Sequence, residues 1–286
     1  MKNLIIIISI IFSSHLISQT NLKGNWQGVL LRDGQKNAES EIFYLSIDLN
    51  GNSITGKSRE EFYKTTNYII QKTKGTVDQN QIKIAQYIVE KKKISSKITV
   101  CSIDLNLHYV DSTGYLEGTF ISNSCRGNTG KIILYRSTVT FSEGDPILID
   151  HSWRDRFLID LSKGRKAPEI QELERKNFQF QPIYFDHDKA EIKPEFHNYL
   201  ARMARVVNGH SDLRIKIIGH TDADGSDIYN IDLSARRAKA IQEYFLKCGL
   251  ESFKLVIDFK GEKMPIDNNQ TPEGKQHNRR VDFQFI

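Results

Sequence analysis

The chain has 286 residues, long enough for two domains with separate cores, and its 40 basic and 35 acidic side chains leave a formal net charge of +5. That balance is mild and lacks a dense basic stripe, so it gives no support to nucleic-acid binding. No GxSxG elbow, HExxH pair, P-loop or cysteine with a partnering histidine occurs, which leaves no catalytic constellation and no implied cofactor.

Lys2, the apolar run Leu4 to Phe12 and the small and polar residues up to Gln19 read as a secretory signal over residues 1–19, so export is expected. The apolar stretch is too short to span a bilayer, and no cysteine follows it to take a lipid anchor.

Residues 20–142 carry eight strand-like runs separated by turn residues, from Trp26–Leu31 through to Lys131–Phe141. Short, regular spacing of this kind predicts an all-β domain, an eight-stranded barrel or a sandwich. Asn50 with Gly51, and Ser112 to Gly114, supply hairpin turns. The opening GNWQGVL resembles the first strand of lipocalin-like or avidin-like barrels. An outer-membrane barrel is the alternative, but Lys72, Lys74 and Lys91 to Lys93 interrupt the apolar alternation that lipid-facing strands need.

Three cysteines occur. Cys101 and Cys125 flank a hairpin and are expected to pair in an oxidising compartment. Setting them opposite each other shifts the apolar set Ile103, Leu105, Leu107 and Tyr109 one residue out of phase with Leu116 and Phe120, a conflict that a bulge would resolve. Cys248 reads as a small buried core residue.

Residues 143–178 read as a charged, solvated linker with short helices from Ser152 to Leu161 and from Pro168. Residues 179–286 then alternate strand and helix, which predicts an α/β sandwich (α+β in its mixed sheet). The strands are Pro182–Phe185, Leu213–Ile218, Lys254–Phe259 and Arg280–Ile286, and the helices are Lys193–Val207 and the one through Leu233, Ile241 and Phe245.

The stretch Ile218 to Ala238, IGHTDADGSDIYNIDLSARRA, brings Asp222 and Arg237 together across a loop and a helix, fifteen positions apart. An acid and a guanidinium so placed suit a zwitterionic ligand. GHTDxxG, YNxxLSxxRA, Gly261–Glu262 with Pro265 behind, and NRRVDF from Asn278 occur in an order that resembles the OmpA-like peptidoglycan-binding domain, a family that includes Pal and the MotB stator domains. The resemblance covers roughly Gln181 to Ile286 and implies non-covalent binding of peptidoglycan through the diaminopimelate of its stem peptide. Asp222 would take the ammonium and Arg237 the carboxylate. Asp188, Asn230 and Leu233 would line the groove, with backbone amides around Thr221 to Ala223 as further donors.

The same resemblance implies a non-enzymatic anchor in the Gram-negative envelope, periplasmic and associated with the outer membrane, with other envelope proteins as partners of the β domain. Plainer roles stand beside these: an Asp222–Arg237 structural salt bridge, a solvated Arg236, and Asn278, Arg279 and Arg280 as braces for sheet and loop. His220 with Asp222 and Asp224 lacks a third nitrogen or sulfur ligand, so no metal is expected.

Overall fold

A computed structural model describes residues 22–36, 39–140 and 151–286, so the expected signal segment lies outside the described residues. The chain divides at Lys163 and Gly164 into two compact units.

The first unit is a closed barrel rather than a sandwich. Its strands are β1 (Gly24–Arg32), β2 (Glu41–Asn50), β3 (Ser53–Glu61), β4 (Tyr68–Asp78), β5 (Gln81–Lys93), β6 (Asp104–Val110), β7 (Tyr115–Ile121) and β8 (Thr129–Ser137). Each pairs antiparallel with the next, and β8 closes on β1 with Trp26 opposite Arg136. Period-two alternation sorts the side chains: Trp26, Phe43, Leu45, Leu105, Leu116 and Leu134 fill the interior, while Lys74, Lys83, Asn106 and Lys131 stand exposed outside. Apolar inside and charged outside is the reverse of a lipid-facing barrel.

The expected disulfide between Cys101 and Cys125 is present. The register conflict resolves without a bulge in the hairpin. Leu105 pairs with Phe120 and Tyr109 with Leu116, the register that the apolar face requires. Pairing starts at Asp104, three residues past Cys101, and the bridge closes outside the ladder. There Ser122 Oγ donates to Ser102 O at 2.7 Å and Ser102 N donates to Ser124 Oγ at 3.1 Å. Inside the barrel, Gln86 Nε2 donates to Ser58 Oγ at 2.8 Å and Gln71 Nε2 to Gln86 Oε1 at 2.9 Å, satisfying the buried amides.

Of the stretch read as a solvated linker, residues 143–150 lie outside the described residues, and the part around residues 151–163 is packed rather than solvated. Helix α1 (Ser152–Ser162) packs on the outside of the barrel. Tyr44, Gln27, Tyr135 and Tyr115 form one cross-strand row over β2, β1, β8 and β7. Phe157 lies against this row, with ring centroids 4.9 Å from Tyr135 and 6.0 Å from Tyr115, and Trp153 sits 6.2 Å from Tyr44. Arg154 is 1% exposed and donates through Nε to Ser40 O at 3.0 Å. The anchoring side chains are therefore Trp153, Arg154 and Phe157, while Ile159 points to solvent.

At the β1–β3 end of the barrel, Arg32 donates to both Glu41 and Glu60. Burial first, then the adjacent Glu41 carboxyl, holds the Glu60 carboxyl well above its usual value of 4.5, against the pull of Arg32.

The second unit carries α2 (Pro168–Asn177), β9 (Ile183–Tyr184), α3 (His197–Gly209), β10 (Ile215–Gly219), α4 (Asp227–Lys247), β11 (Leu255–Phe259), α5 (Pro272–Asn278) and β12 (Arg280–Phe285). The sheet order is β11-β10-β12-β9, with β10 parallel to β11 and the other pairs antiparallel. Leu200, Met203, Val207, Ile241 and Phe245 bury the apolar stripes of α3 and α4 against Ile215, Ile217 and Val281. The ammonium of Lys254 is buried at the end of α3, where it donates to Val207 O at 2.8 Å and suits the negative end of the helix dipole. Cys248 is exposed, not buried, because α4 ends on it and turns at Gly249 with φ +85°.

Two predictions follow from the barrel. Cys101→Ser with Cys125→Ser should lower its stability by about 3 kcal/mol, since the bridge closes a loop 24 residues apart, and denaturant unfolding followed by the fluorescence of Trp26 and Trp153, both in this unit, measures it. An unchanged midpoint would show that the serine contacts hold the segment unaided. For Glu60, a folded pKa above the unfolded 4.5 means stability that is complete below that pH and is lost as pH rises through the folded value. Glu60→Gln should therefore melt like the parent near pH 4 and increasingly above it toward neutrality. A Gln variant that instead loses stability as pH rises would identify Glu60 as the charged partner of Arg32.

Candidate functional site

Strand β10 ends at Gly219, where a Cβ would stand 2.0 Å from Ser234 O of α4, so only glycine lets helix and strand meet there. The loop from His220 to Gly225 is then pinned through its amides. His220 N donates to Arg280 O and Thr221 N to Gly261 O, each at 2.9 Å, and Ala223 N donates to Asn269 Oδ1 at 3.2 Å. Ser226 caps α4 by accepting from Tyr229 N. The amides of Thr221 and Ala223, expected as donors to a ligand, are thus already engaged.

On α4, Asn230 and Arg237 lie two turns apart on one buried face, both 0% exposed, with Leu233 buried between them. Arg237 does not bond to Asp222. Its Nε donates to Lys189 O at 2.8 Å, Nη1 to His220 O at 3.0 Å and Nη2 to Asp186 O at 3.0 Å. A guanidinium has five N–H groups, so one on each terminal nitrogen remains. Burial lowers its pKa to about 10, with the nearby Asp222 charge opposing that shift.

Asp222 is buried and pairs with Arg279, whose Nη1 donates to Oδ2 at 2.7 Å. Its Oδ1 accepts from Asp224 N at 3.3 Å. Asp188 adopts a left-handed turn with φ +57° and accepts from the Tyr229 hydroxyl. Asn230 Nδ2 donates to Glu262. Thr221 Oγ1 and Asn230 Oδ1 are buried without a partner among the described residues, an arrangement that is costly unless a ligand or water completes it.

Helix α5, which sequence periodicity did not reveal, supplies the far wall. Thr271 caps it, accepting from Gly274 N at 3.1 Å. Lys275 Nζ donates to Asp224 Oδ1 at 2.7 Å, and this bond chiefly holds the Asp224 carboxyl below its ordinary value. His187, Gln270, Pro272, Lys275 and Arg279 line a cleft of about 310 Å³. Asn278 is the expected brace: its Oδ1 accepts from Ile266 N at 2.8 Å and Asp267 N at 3.1 Å. Arg280 also braces, pairing with Asp282 at 2.9 Å. Arg279 is different, because it reaches the acid at the centre of the loop. Arg236 is exposed and pairs with Asp232 on its own helix. His187, Asp222 and Asp224 bring donor atoms within 4.8 Å of one another. Arg279 and Lys275 already neutralise both carboxylates, so this cluster is a charge network rather than an assembled cation site.

Residues 184–279 match the OmpA family. Outer membrane protein A of Bordetella avium is 34% identical over 103 residues, 36% of this chain and 53% of that protein. Peptidoglycan-binding protein ArfA of Mycobacterium bovis is 39% identical over 102 residues, 36% of this chain and 31% of that one. The peptidoglycan-associated lipoprotein of Pseudomonas aeruginosa is 34% identical over 101 residues, 35% of this chain and 60% of that one. The chain thus spans less than two thirds of each relative's length, and the matched span accounts for about a third of its own. The Asp222 loop, α4 and Arg279 all fall inside that span, and the second unit is an OmpA family domain behind a separate β-barrel.

Proposed function

We propose that the second unit binds peptidoglycan without covalent attachment and so ties the barrel to the cell wall. The observation that carries this reading is a buried carboxylate, Asp222, and a buried guanidinium, Arg237, near enough for their charges to act on each other, with Thr221 Oγ1 and Asn230 Oδ1 on the same loop and helix buried without a partner among the described residues. It is supported by relatives whose names describe peptidoglycan binding or association.

At the finer level we propose diaminopimelate as the group recognised. Its ammonium and carboxylate on one carbon ask for one anion and one planar cation at fixed separation. Asp222, oriented by Arg279, would accept from the ammonium, and the two remaining N–H groups of Arg237 would meet the carboxylate. Asp188, Asn230 and Leu233 would shape the groove. In this reading the protein is exported, non-enzymatic and periplasmic, associated with the outer membrane. The competing reading, a lipid-embedded barrel, loses support from the lysines in mid-strand on its outer face.

Binding of the chain from Thr20 onward to purified sacculi tests the proposal. Asp222→Asn should weaken co-sedimentation at least about 30-fold, the scale for removing one charge from a buried pair with ligand. Retained binding would place the site elsewhere. Arg237→Lys should act on two readouts. One ammonium cannot serve three carbonyls from two segments, so the second unit should lose about 3 kcal/mol of stability as well as its affinity. Lost stability with full affinity would make Arg237 a brace only.

A further inference from the structure

Helix α3 gives way to the next turn at His210, a side chain only 1% exposed. Its Nδ1 lies 2.6 Å from Val206 O, one turn back on α3, and its Nε2 lies 2.7 Å from Gln171 O on α2. A carbonyl oxygen only accepts, so each ring nitrogen must donate, and both can donate only when the ring carries two protons. The two contacts together define an imidazolium. It sits at the negative end of α3, where a cation is favoured.

The charged groups on the elements packed there are Asp212 in the turn after α3, Arg175 on α2 and Lys254 before β11. Arg175 Nη2 donates to both Asp212 oxygens, at 3.1 and 3.0 Å. Burial raises the Asp212 carboxyl, but the Arg175 bond, a backbone amide and the His210 charge more than offset it and leave the carboxyl below its ordinary value. Asp212 is therefore an anion beside the ring throughout the range in which histidine changes charge. Lys254 opposes the second proton, since its Nζ donates to His210 O as well as to Val207 O. Removing that proton, however, would leave a ring lone pair facing a carbonyl oxygen in a site closed to solvent.

The two ring bonds differ in what they join. Val206 O is one of the last four carbonyls of α3, which lack an intrahelical donor, and His210 N donates to Val207 O instead. Gln171 O lies inside α2, with the amide of Arg175 at helical spacing. When the ring gives up one proton, the Nδ1 bond is the one to keep, and Nε2 then presents a lone pair to Gln171 O. Attraction between the helices becomes repulsion. Little else holds α2 in place: none of its residues is buried, and the Arg175–Asp212 pair is 40% and 64% exposed, a kind of pair that contributes little. Phe178, packed 5.2 Å from Phe285, fixes the chain beyond the helix and not the helix itself. With ten residues, α2 is too short to persist alone.

We infer that His210 is a proton-operated latch that holds α2 against α3 in acid and releases it as pH rises. The docking is complete while the ring carries both protons and is lost as the second proton leaves. Released, the ten residues of α2 pass from about 15 Å of helix to at most about 35 Å of extended chain, which lengthens the connection between the barrel and the sheet that carries the Asp222 loop. The latch lies outside that loop and does not depend on the peptidoglycan reading.

Hydrogen exchange read by mass spectrometry tests it on the chain from Thr20 onward, at about pH 5.5 and about pH 8, either side of the histidine range, with correction for the intrinsic rise of exchange with pH. Amides from Gln171 to Asn177 should exchange about tenfold faster or more at the higher pH, the scale for losing one hydrogen bond to a charged group, while β10 and β12 stay protected. His210→Gln, which has no proton to lose, should remove that difference. Asp212→Asn should loosen α2 at both pH values and keep the difference, which separates the latch from the surface pair. Selective nitrogen-15 labelling of histidine gives a readout that needs no variant: near pH 5.5 both ring nitrogens of His210, assigned through its contact with Val206, should be protonated, and the neutral form should carry its proton on Nδ1. Equal protection of α2 at the two pH values, a ring already neutral near pH 5.5, or a pH dependence that survives His210→Gln would each overturn the assignment.

Discussion

The second unit is organised around one buried cation. Arg237 holds Asp186 O, Lys189 O and His220 O, carbonyls from the turn after β9 and from the loop after β10, which are far apart in sequence and are clasped together by this guanidinium. A carbonyl left unpaired where protein shields it from water costs about 1 to 3 kcal/mol, so the three bonds help both segments keep their shape. Everything proposed for ligand recognition rests on that arrangement. The left-handed turn at Asp188 and the pinned loop carrying Asp222 are both shaped at segments that Arg237 clasps. A residue expected to meet ligand directly is first a scaffold, with two N–H groups left over from the three carbonyl bonds.

The sequence made the elements legible and the pairings less so. Eight runs of alternating residues gave eight strands because period-two patterning reflects burial directly. The helix through Leu233 and Ile241 was equally plain. What escaped was α5, whose seven residues are too few to show a period and whose recognition depends on the Thr271 cap and Pro272 alone. With it went Lys275, and the role of Arg279 as partner of Asp222. Spacing shows that an acid and an arginine lie near one another, but not which of several neighbouring arginines takes the bond. Likewise the residues 152–162 read as solvated because their apolar content is low, yet Trp153, Arg154 and Phe157 are all anchored. Arg154 buries its stem while its head finds Ser40, so a charge count misjudges it.

The barrel and the second unit handle buried charge differently. In the barrel Glu60 shares Arg32 with Glu41, and burial dominates its proton equilibrium. In the second unit Asp222 and Asp224 each have their own cation, and the Asp224 carboxyl stays below its ordinary value. Sharing one cation between two acids leaves a proton to be placed. Giving each acid a cation leaves a fixed dipolar surface, which is what a site for an ionic ligand requires.

Helix α1 has a further consequence for the order in which the first unit forms. The aromatic row it covers draws residues from β2, β1, β8 and β7 and therefore straddles the seam where the last strand meets the first. Before that seam closes, Tyr44 and Tyr135 belong to opposite edges of an open sheet and no docking surface exists for Trp153 and Phe157. Seam closure joins residues 98 to 112 positions apart, the slowest kind of contact for a chain to find. Among the described elements α1 comes next after β8 in the chain, so it is at hand once the seam can form and acts as a clasp across it, retarding reopening more than it hastens closure.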